Sequence, residues 1–401
     1  MILFDYQFKQ ALPIIDKIEE AGFEAYFVGG SVRDTLLNKP INDVDIATSA
    51  KPNEIKGIFP KTIDVGIEHG TVMVLWKDAS YEITTFRTES TYQDFRRPDN
   101  VEFVRSLKED LKRRDFTINA LAMNRNGEII DYFNGKKDLE NKLIKAVGIP
   151  EERFFEDALR MMRGVRFVSQ LNFSMDSETE VAIHKNHPLL EKIAVERIQV
   201  EFIKLLLGSG RKQGLGLFIR TNLFYYCPGL KDFKKELEEF AKLDCVIENR
   251  VVAWTLLSHY LRKTSGNIEL FLRDWKCSKK EINQVKSAMN ALQHRLKGDF
   301  NRQVLYQTGL QIALDVETVM DCLGYPINFE FVHTLYQELP IYSKNDIDVN
   351  GNDLQVVLKR KPGKWLGDLM AEIEVTILSG ELPNEKSVII EWVSNNYTND
   401  V

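Results

Sequence analysis

The chain has 401 residues, 44% of them hydrophobic and 10% aromatic, which is enough for roughly two to four packed domains. No apolar run is long enough to span a membrane, Met1-Ile2-Leu3-Phe4-Asp5-Tyr6 does not open a signal peptide, and the net charge of −6 excludes a wholly basic nucleic-acid coat while leaving room for a local basic face. Cys227, Cys245, Cys277 and Cys322 are scattered without a C-x-x-C, which argues against a zinc site or a disulfide framework and fits a reducing cytosol.

The first 148 residues alternate between helix and strand. An amphipathic helix over 8–21 ends at Gly22, and Ala25-Tyr26-Phe27-Val28 reads as a short strand. Gly29-Gly30-Ser31-Val32-Arg33-Asp34 follows and opens a helix. A strand, two glycines and a helix start leave backbone N–H groups bare, and with the helix dipole they suit phosphate. Gly29, Gly30, Ser31 and Arg33 are therefore the expected triphosphate grip. Asp43 and Asp45 begin a second strand, and residues two apart on a strand share a face. Two carboxylates so placed suit a hard divalent cation such as Mg²⁺. A short helix over 53–59 and strands over 61–65, 71–76 and 81–86 come next. Ser106 and Glu109 form a capping box, and Asn126-Gly127 marks a hairpin between strands over 121–124 and 128–132. This pattern predicts a mixed sheet.

Beyond Gly148-Ile149-Pro150 strands nearly vanish. Apolar residues at three- and four-residue spacing predict helices over 152–170, 177–186, 195–207, 232–242, 249–262, 267–273, 279–293, 300–308, 313–322, 329–338, 351–357, 365–378 and 385–396. On the first of these, Asp157, Arg160, Arg163 and Arg166 recur every three residues and should share a face. Lys359-Arg360-Lys361-Pro362-Gly363-Lys364-Trp365 is a basic turn with an aromatic, suited to RNA phosphates. The six histidines are isolated, and none has metal-ligand spacing with a partner.

The glycine cradle followed closely by Asp43-Val44-Asp45 resembles the nucleotidyltransferase superfamily of DNA polymerase beta. More narrowly, the chain resembles the bacterial class II tRNA nucleotidyltransferases, the CCA-adding enzymes and their poly(A) polymerase relatives. The resemblance runs over essentially the whole chain and is strongest from 25 to 201. It implies an α+β fold: a mixed-sheet nucleotidyltransferase head (1–148), then an all-α neck (149–208), body (209–290) and tRNA-binding tail (291–401). It implies a third acidic residue, for which Glu82 is the candidate. Arg113-Arg114-Asp115-Phe116-Thr117-Ile118-Asn119-Ala120 matches a second family motif. There Arg114 and Asn119 are expected nearest the nucleotide, with Asp115 accepting a ribose hydroxyl.

The third motif assigns Asp157 and Arg160 to the nucleobase. Cytosine and adenine both show an exocyclic amine beside a ring-nitrogen acceptor, whereas uracil and guanine show the reverse. An aspartate that only accepts and an arginine that only donates would admit C and A and oppose U and G. Arg163 and Arg166 are expected toward phosphate or as structural support. Arg197 and Glu201, in a further motif, should brace this helix. The polar stretch from Thr85 to Pro98 resembles the loop that helps CCA-adding members switch from C to A, and Asp131 to Leu139 resembles a hinge between head and neck.

The implied reaction is template-independent addition and repair of the 3′-CCA of tRNA from CTP and ATP with Mg²⁺, releasing pyrophosphate, in the cytoplasm and with no membrane partner. An A-adding enzyme or poly(A) polymerase is the nearest alternative. A silent RNA-binding protein and a metal-dependent phosphohydrolase are the more distant ones. Oligomeric state stays open, a homodimer included.

Overall fold

A computed structural model of the chain describes residues 6–41, 43–89, 101–264 and 266–397. They fall into two units. One runs from Met1 to Lys242 with Asp274–Lys276, and the other holds the remainder.

The first unit begins with α1 (Tyr6–Glu20), whose Phe8, Ala11, Ile14, Ile15 and Ile18 are buried at helical spacing. It stops where Gly22 takes φ 87°, a left-handed turn that glycine adopts without strain. Then come β1 (Ala25–Val28), α2 (Gly30–Leu36), β2 (Asp45–Thr48), α3 (Pro52–Ile58), β3 (Thr62–Gly66), β4 (Thr71–Trp76) and β5 (Ala79–Thr85). The short β6 (Arg87–Glu89) and β7 (Val101–Phe103) pair with each other. α4 (Leu107–Lys112), β8 (Leu121–Met123) and β9 (Ile129–Asp131) complete the head sheet, ordered β3-β4-β5-β2-β1-β8-β9. β2 and β5 run parallel and the other neighbours antiparallel. One face of the sheet is sealed by Val72, Val74, Ile46 and Ile83, all nearly inaccessible.

Helices dominate thereafter. α5 (Gly135–Glu140) occupies the segment expected as a hinge. β10 (Leu143–Ile144) pairs with β11 (Ser174–Met175) around α6 (Pro150–Glu156) and α7 (Leu159–Leu171). α8 (Ser177–Asn186), α9 (Val195–Leu206), α10 (Arg211–Arg220) and α11 (Lys234–Ala241) follow.

Three sequence expectations are corrected here. The helix over 152–170 is two helices: Asp157 adopts φ −140°, ψ 104°, and its carboxylate accepts from Leu159 N at 3.0 Å, so the side chain competes for the backbone and ends the run. Asp157 therefore does not share a helix face with Arg160. α10 lies in the stretch between 207 and 232, where the sequence pattern places no helix. A Cβ on Gly214 would stand 2.7 Å from Ser169 Cβ, so that glycine lets α10 approach α7. Cys245 and Cys322, 77 residues apart, are disulfide-bonded with Cα atoms 5.2 Å apart, contrary to the reading of all four cysteines as free; wide spacing in sequence carries no information about proximity after folding.

The second unit holds α12 (Arg250–Tyr260), α13 (Ile268–Asp274), α14 (Lys279–Arg295), α15 (Arg302–Thr308), α16 (Leu310–Cys322), α17 (Phe329–Gln337), α18 (Gly351–Leu358), α19 (Lys364–Ser379) and α20 (Lys386–Tyr397). Its C-terminal core is built from Ile341, Leu354, Ile373, Ile377, Ile389 and Val393. In the basic turn before α19, Arg360 lies over the Trp365 ring, whose indole N–H donates to Lys361 O at 2.8 Å. Among the described residues no helix is long and apolar enough to cross a membrane.

Candidate active site

The site lies in the first unit and grows from the β1–α2 turn. Gly29 has φ 72°, ψ −130°, and its N–H donates to Leu121 O. A Cβ there would meet Arg114 Nη1 at 3.0 Å, so the glycine answers both the backbone and the close approach of the guanidinium. Arg33, one turn into α2, forks onto Asp34 at 2.8 Å through both Nε and Nη2. Its remaining nitrogen reaches Asn119 Oδ1 at 2.7 Å, and its guanidinium lies over Phe167. Ser31 departs from expectation: its hydroxyl is buried and donates to Val28 O, so this side chain turns away from any phosphate.

Asp115 ties the second motif together. Its Oδ1 accepts from Phe116 N at 2.8 Å and from Asn119 Nδ2 at 3.1 Å, while Oδ2 accepts from Arg163 Nε at 2.6 Å. Burial by itself would raise the carboxyl pKa, but Arg163, Asn119 and Arg160 overcome that and hold it at about 2. Both oxygens of Asp115 are thus engaged within the protein, which makes it an internal brace. Arg114 Nη1 reaches Asn119 O at 3.4 Å and Nη2 reaches the buried Asp110 at 3.3 Å. Its Nε is buried without a hydrogen bond, leaving donor capacity unused beside the glycines.

The nucleobase candidates sit across the α6–α7 break. Arg197 on α9 clamps Asp157 Oδ2 at 2.8 Å. Arg160 is buried, donating to Glu156 Oε2 at 2.6 Å and to Arg113 O at 2.9 Å. Arg166 pairs with Glu201 at 2.5 Å, bonds Gln170 and stacks over Phe167, and it does not line the cavity that gathers Arg33, Arg114, Arg160 and Arg163. α7 comes close enough to place these groups because Gly164 lies where a Cβ would be 2.8 Å from Phe116.

One cavity of about 420 Å³ gathers Gly29, Gly30, Arg33, Asp45, Arg114, Asp115, Asn119, Asp157, Arg160 and Arg163. It also includes Arg113, Arg197 and Phe167, which sequence reasoning had not placed there. Three arginines, Arg33, Arg163 and Arg166, converge on the Phe167 ring, a contact that residue spacing alone does not reveal. A second cavity of about 400 Å³ meets the first at Asp45 and is lined by Glu82, Met73 and Tyr81 of the sheet, by α1 and by Asp43, which precedes β2 and, contrary to expectation, does not share the strand with Asp45.

The register Ile46↔Ile83 sets Asp45 beside Glu82. Asp45 keeps an exposed edge, yet the surrounding protein raises its carboxyl pKa. Arg114 works against that rise, and Glu82 and Asp43 add to it. Like charges crowded together, all with oxygen donors, fit a hard divalent cation. Among the described residues no group of three or more His, Cys, Asp or Glu side chains is placed to hold a metal ion. His69 does not line the arginine cavity; its carbonyl accepts from Arg87. The expected C-to-A loop is described only through Glu89, and residues 90–98 lie outside the described residues.

A mixed sheet with a glycine-bounded, arginine-lined cavity opening on paired carboxylates defines a nucleotidyltransferase. Residues 25–145 match the poly A polymerase head domain, 172–234 the probable RNA and SrmB-binding site of polymerase A, and 246–393 the putative tRNA nucleotidyltransferase domain 2. The CCA-adding enzyme of Enterococcus faecalis is 53% identical over 387 residues, covering 96% of this chain and 95% of its own. That of Ligilactobacillus salivarius is 53% identical over 386 residues, covering 96% of each. The crystal structure of the Bacillus stearothermophilus CCA-adding enzyme in complex with CTP is 42% identical, with a TM-score of 0.90 over 98% of both chains. The chain belongs to the CCA-adding enzymes, a family of tRNA nucleotidyltransferases.

Proposed function

We propose that the chain adds and repairs the 3′-terminal CCA of tRNA, using CTP and ATP without a nucleic-acid template and releasing pyrophosphate. The observation that carries the reading is the arginine cavity itself, which joins the glycine turn and Arg33 to Asp157 and Arg160 and opens on Asp45. In this reading Gly29, Gly30, Arg33, Arg114 and Arg163 take the triphosphate charge. Asp157 accepts the amine of C or A, and Arg160 donates to the ring nitrogen. Arg197 and Asn119 act as positioning residues.

Nucleotidyltransferases of this family use divalent metal, and we take Mg²⁺ as the ion and Asp43, Asp45 and Glu82 as its carboxylates. A cation held there would acidify the attacking hydroxyl and neutralise phosphate charge. The 3′-oxygen of the RNA forms a bond to the α-phosphorus while the bond to the β-bridging oxygen breaks. Pyrophosphate leaves with that electron pair, and the hydroxyl proton passes to water beside the carboxylates. The four-part division into head, neck, body and tail, a tRNA contact at Lys359–Trp365 and a cytoplasmic location complete the reading.

Incubation with tRNA ending before its CCA and single nucleotides tests it. Incorporation of C and then A with release of pyrophosphate is expected. Incorporation of A alone would favour an A-adding enzyme, and release of inorganic phosphate would favour a hydrolase.

A further inference from the structure

We propose that the second cavity, across Asp45 from the arginines, is the acceptor subsite: it receives the 3′-terminal nucleoside of the RNA, with Tyr6 and Gln10 of α1 as its positioning residues. This rests on the RNA-extending reading above and locates that reaction's nucleophile.

Geometry comes first. In phosphoryl transfer the attacking and leaving oxygens lie roughly in line on opposite sides of phosphorus. Asp45 lines both cavities, so a triphosphate among the arginines leaves the opposite side of Asp45 for the attacking hydroxyl.

Charge divides the two cavities in the same sense. Six arginines face three aspartates in the first. The second is lined by Asp43, Asp45 and Glu82 with no lysine, arginine or histidine. A triphosphate would be repelled there, whereas an uncharged sugar and base would not, provided the 5′-phosphodiester points outward.

The lining suits such a group. Met73 is the cross-strand partner of Glu82, and Ile63, 46% exposed, is the partner of Met73. An apolar strip thus leads away from the carboxylates along the open face of the sheet. Tyr6 is 71% exposed at the start of α1, presenting an aromatic face. Gln10, one turn on, is exposed and makes no hydrogen bond among the described residues. Gln7 is committed elsewhere: its Nε2 donates to Ile41 O at 3.0 Å, which fixes α1 to the segment leading into Asp43.

The reaction also demands tolerance. Three successive additions present more than one terminal nucleoside: first the one before CCA, which varies among tRNAs, and then C. Stacking on an aromatic ring accepts any base, and a glutamine amide both donates and accepts. Tyr6 and Gln10 therefore suit a subsite that positions a terminus without reading it.

The test uses the full-length chain with Tyr6→Ala, Gln10→Ala and Tyr6→Phe. Incorporation of CMP is measured at saturating CTP over a titration of tRNA lacking CCA, together with CTP binding in the absence of RNA and thermal unfolding. The expected result is a KM for RNA raised about ten-fold in Tyr6→Ala, the order of one lost base–aromatic stack. A smaller rise is expected in Gln10→Ala and recovery in Tyr6→Phe, with CTP affinity and melting temperature unchanged. An unchanged KM for RNA, or a parallel loss of CTP affinity, in an active enzyme overturns this proposal alone. A wild-type chain that extends no RNA overturns the parent reading and this one with it.

Discussion

Replacing Asp115 by Asn isolates the brace beneath the arginine cavity. The carboxyl pKa moves from its ordinary 3.8 to about 2 in the folded chain. At about 1.4 kcal/mol per pKa unit, the displacement amounts to about 2 kcal/mol of stability at neutral pH. The amide introduced by Asp115→Asn keeps an oxygen that can accept from Phe116 N and Asn119, so most of the loss falls on the Arg163 pair. Arg163 keeps 36% of its side chain in solvent and can rehydrate, which holds the cost below the ~3–5 kcal/mol of a fully buried pair. The sign follows from the depressed pKa. The stabilisation is complete above the unfolded value near 4 and fades as pH falls toward 2, because the unfolded chain takes up its proton first. Proteolysis across a urea series, with cuts mapped before residue 243, should show a deficit of about 2 kcal/mol for Asp115→Asn at pH 7, about half of it gone by pH 3. The KM for CTP should rise as Arg163 loses its anchor. A deficit that stays constant between pH 7 and pH 3, or one below about 0.5 kcal/mol at pH 7, would refute the assignment of Asp115 as a charged brace.

Asp43→Ala and Asp45→Ala should each lower nucleotide incorporation by more than about 100-fold in a primer-extension assay while filter-bound tRNA is retained, since the carboxylates serve the reacting phosphorus and not the RNA body. Asp157→Ala should raise incorporation of UMP relative to CMP by about ten- to a hundred-fold in competition reactions, because the wrong base no longer faces an unsatisfied acceptor. Gly29→Ala forces φ 72° on an alanine and sets its Cβ 3.0 Å from Arg114 Nη1; a loss of about 1–3 kcal/mol in urea unfolding is expected, with a raised KM for CTP.

The sequence carried the head well because its signals are local. Ala25–Val28 and Thr71–Trp76 are strands at the boundaries their patterns predict, and the glycines and Arg33 fall where a strand meets a helix. Errors arose where distant segments decide. Asp157 looks like one more helical residue until its carboxylate is seen capping Leu159 and held by Arg197, forty residues on. The Ser31 hydroxyl has the right neighbours in sequence, but the carbonyl of Val28 claims it. Arg163 and Arg166 look alike by spacing; Asp115 engages the first and Glu201 the second, and of the two Arg163 lines the arginine cavity. The cavity walls from α1 and Phe167 depend on tertiary packing, which a linear motif does not encode.

In the proposed reading Asp157 and Arg160 select the base, and both enter that role already paired. Asp157 and Arg160 are each engaged by protein groups, the first by Arg197 and the second by Glu156 and a main-chain carbonyl. On that reading an arriving base exchanges with partners that are already in place. Water filling the pocket cannot do so with the same directionality, and a base with its donor and acceptor exchanged would break those contacts without replacing them. Fidelity in such a site is a trade of contacts, obtained at the expense of tight binding for every nucleotide, the correct ones included.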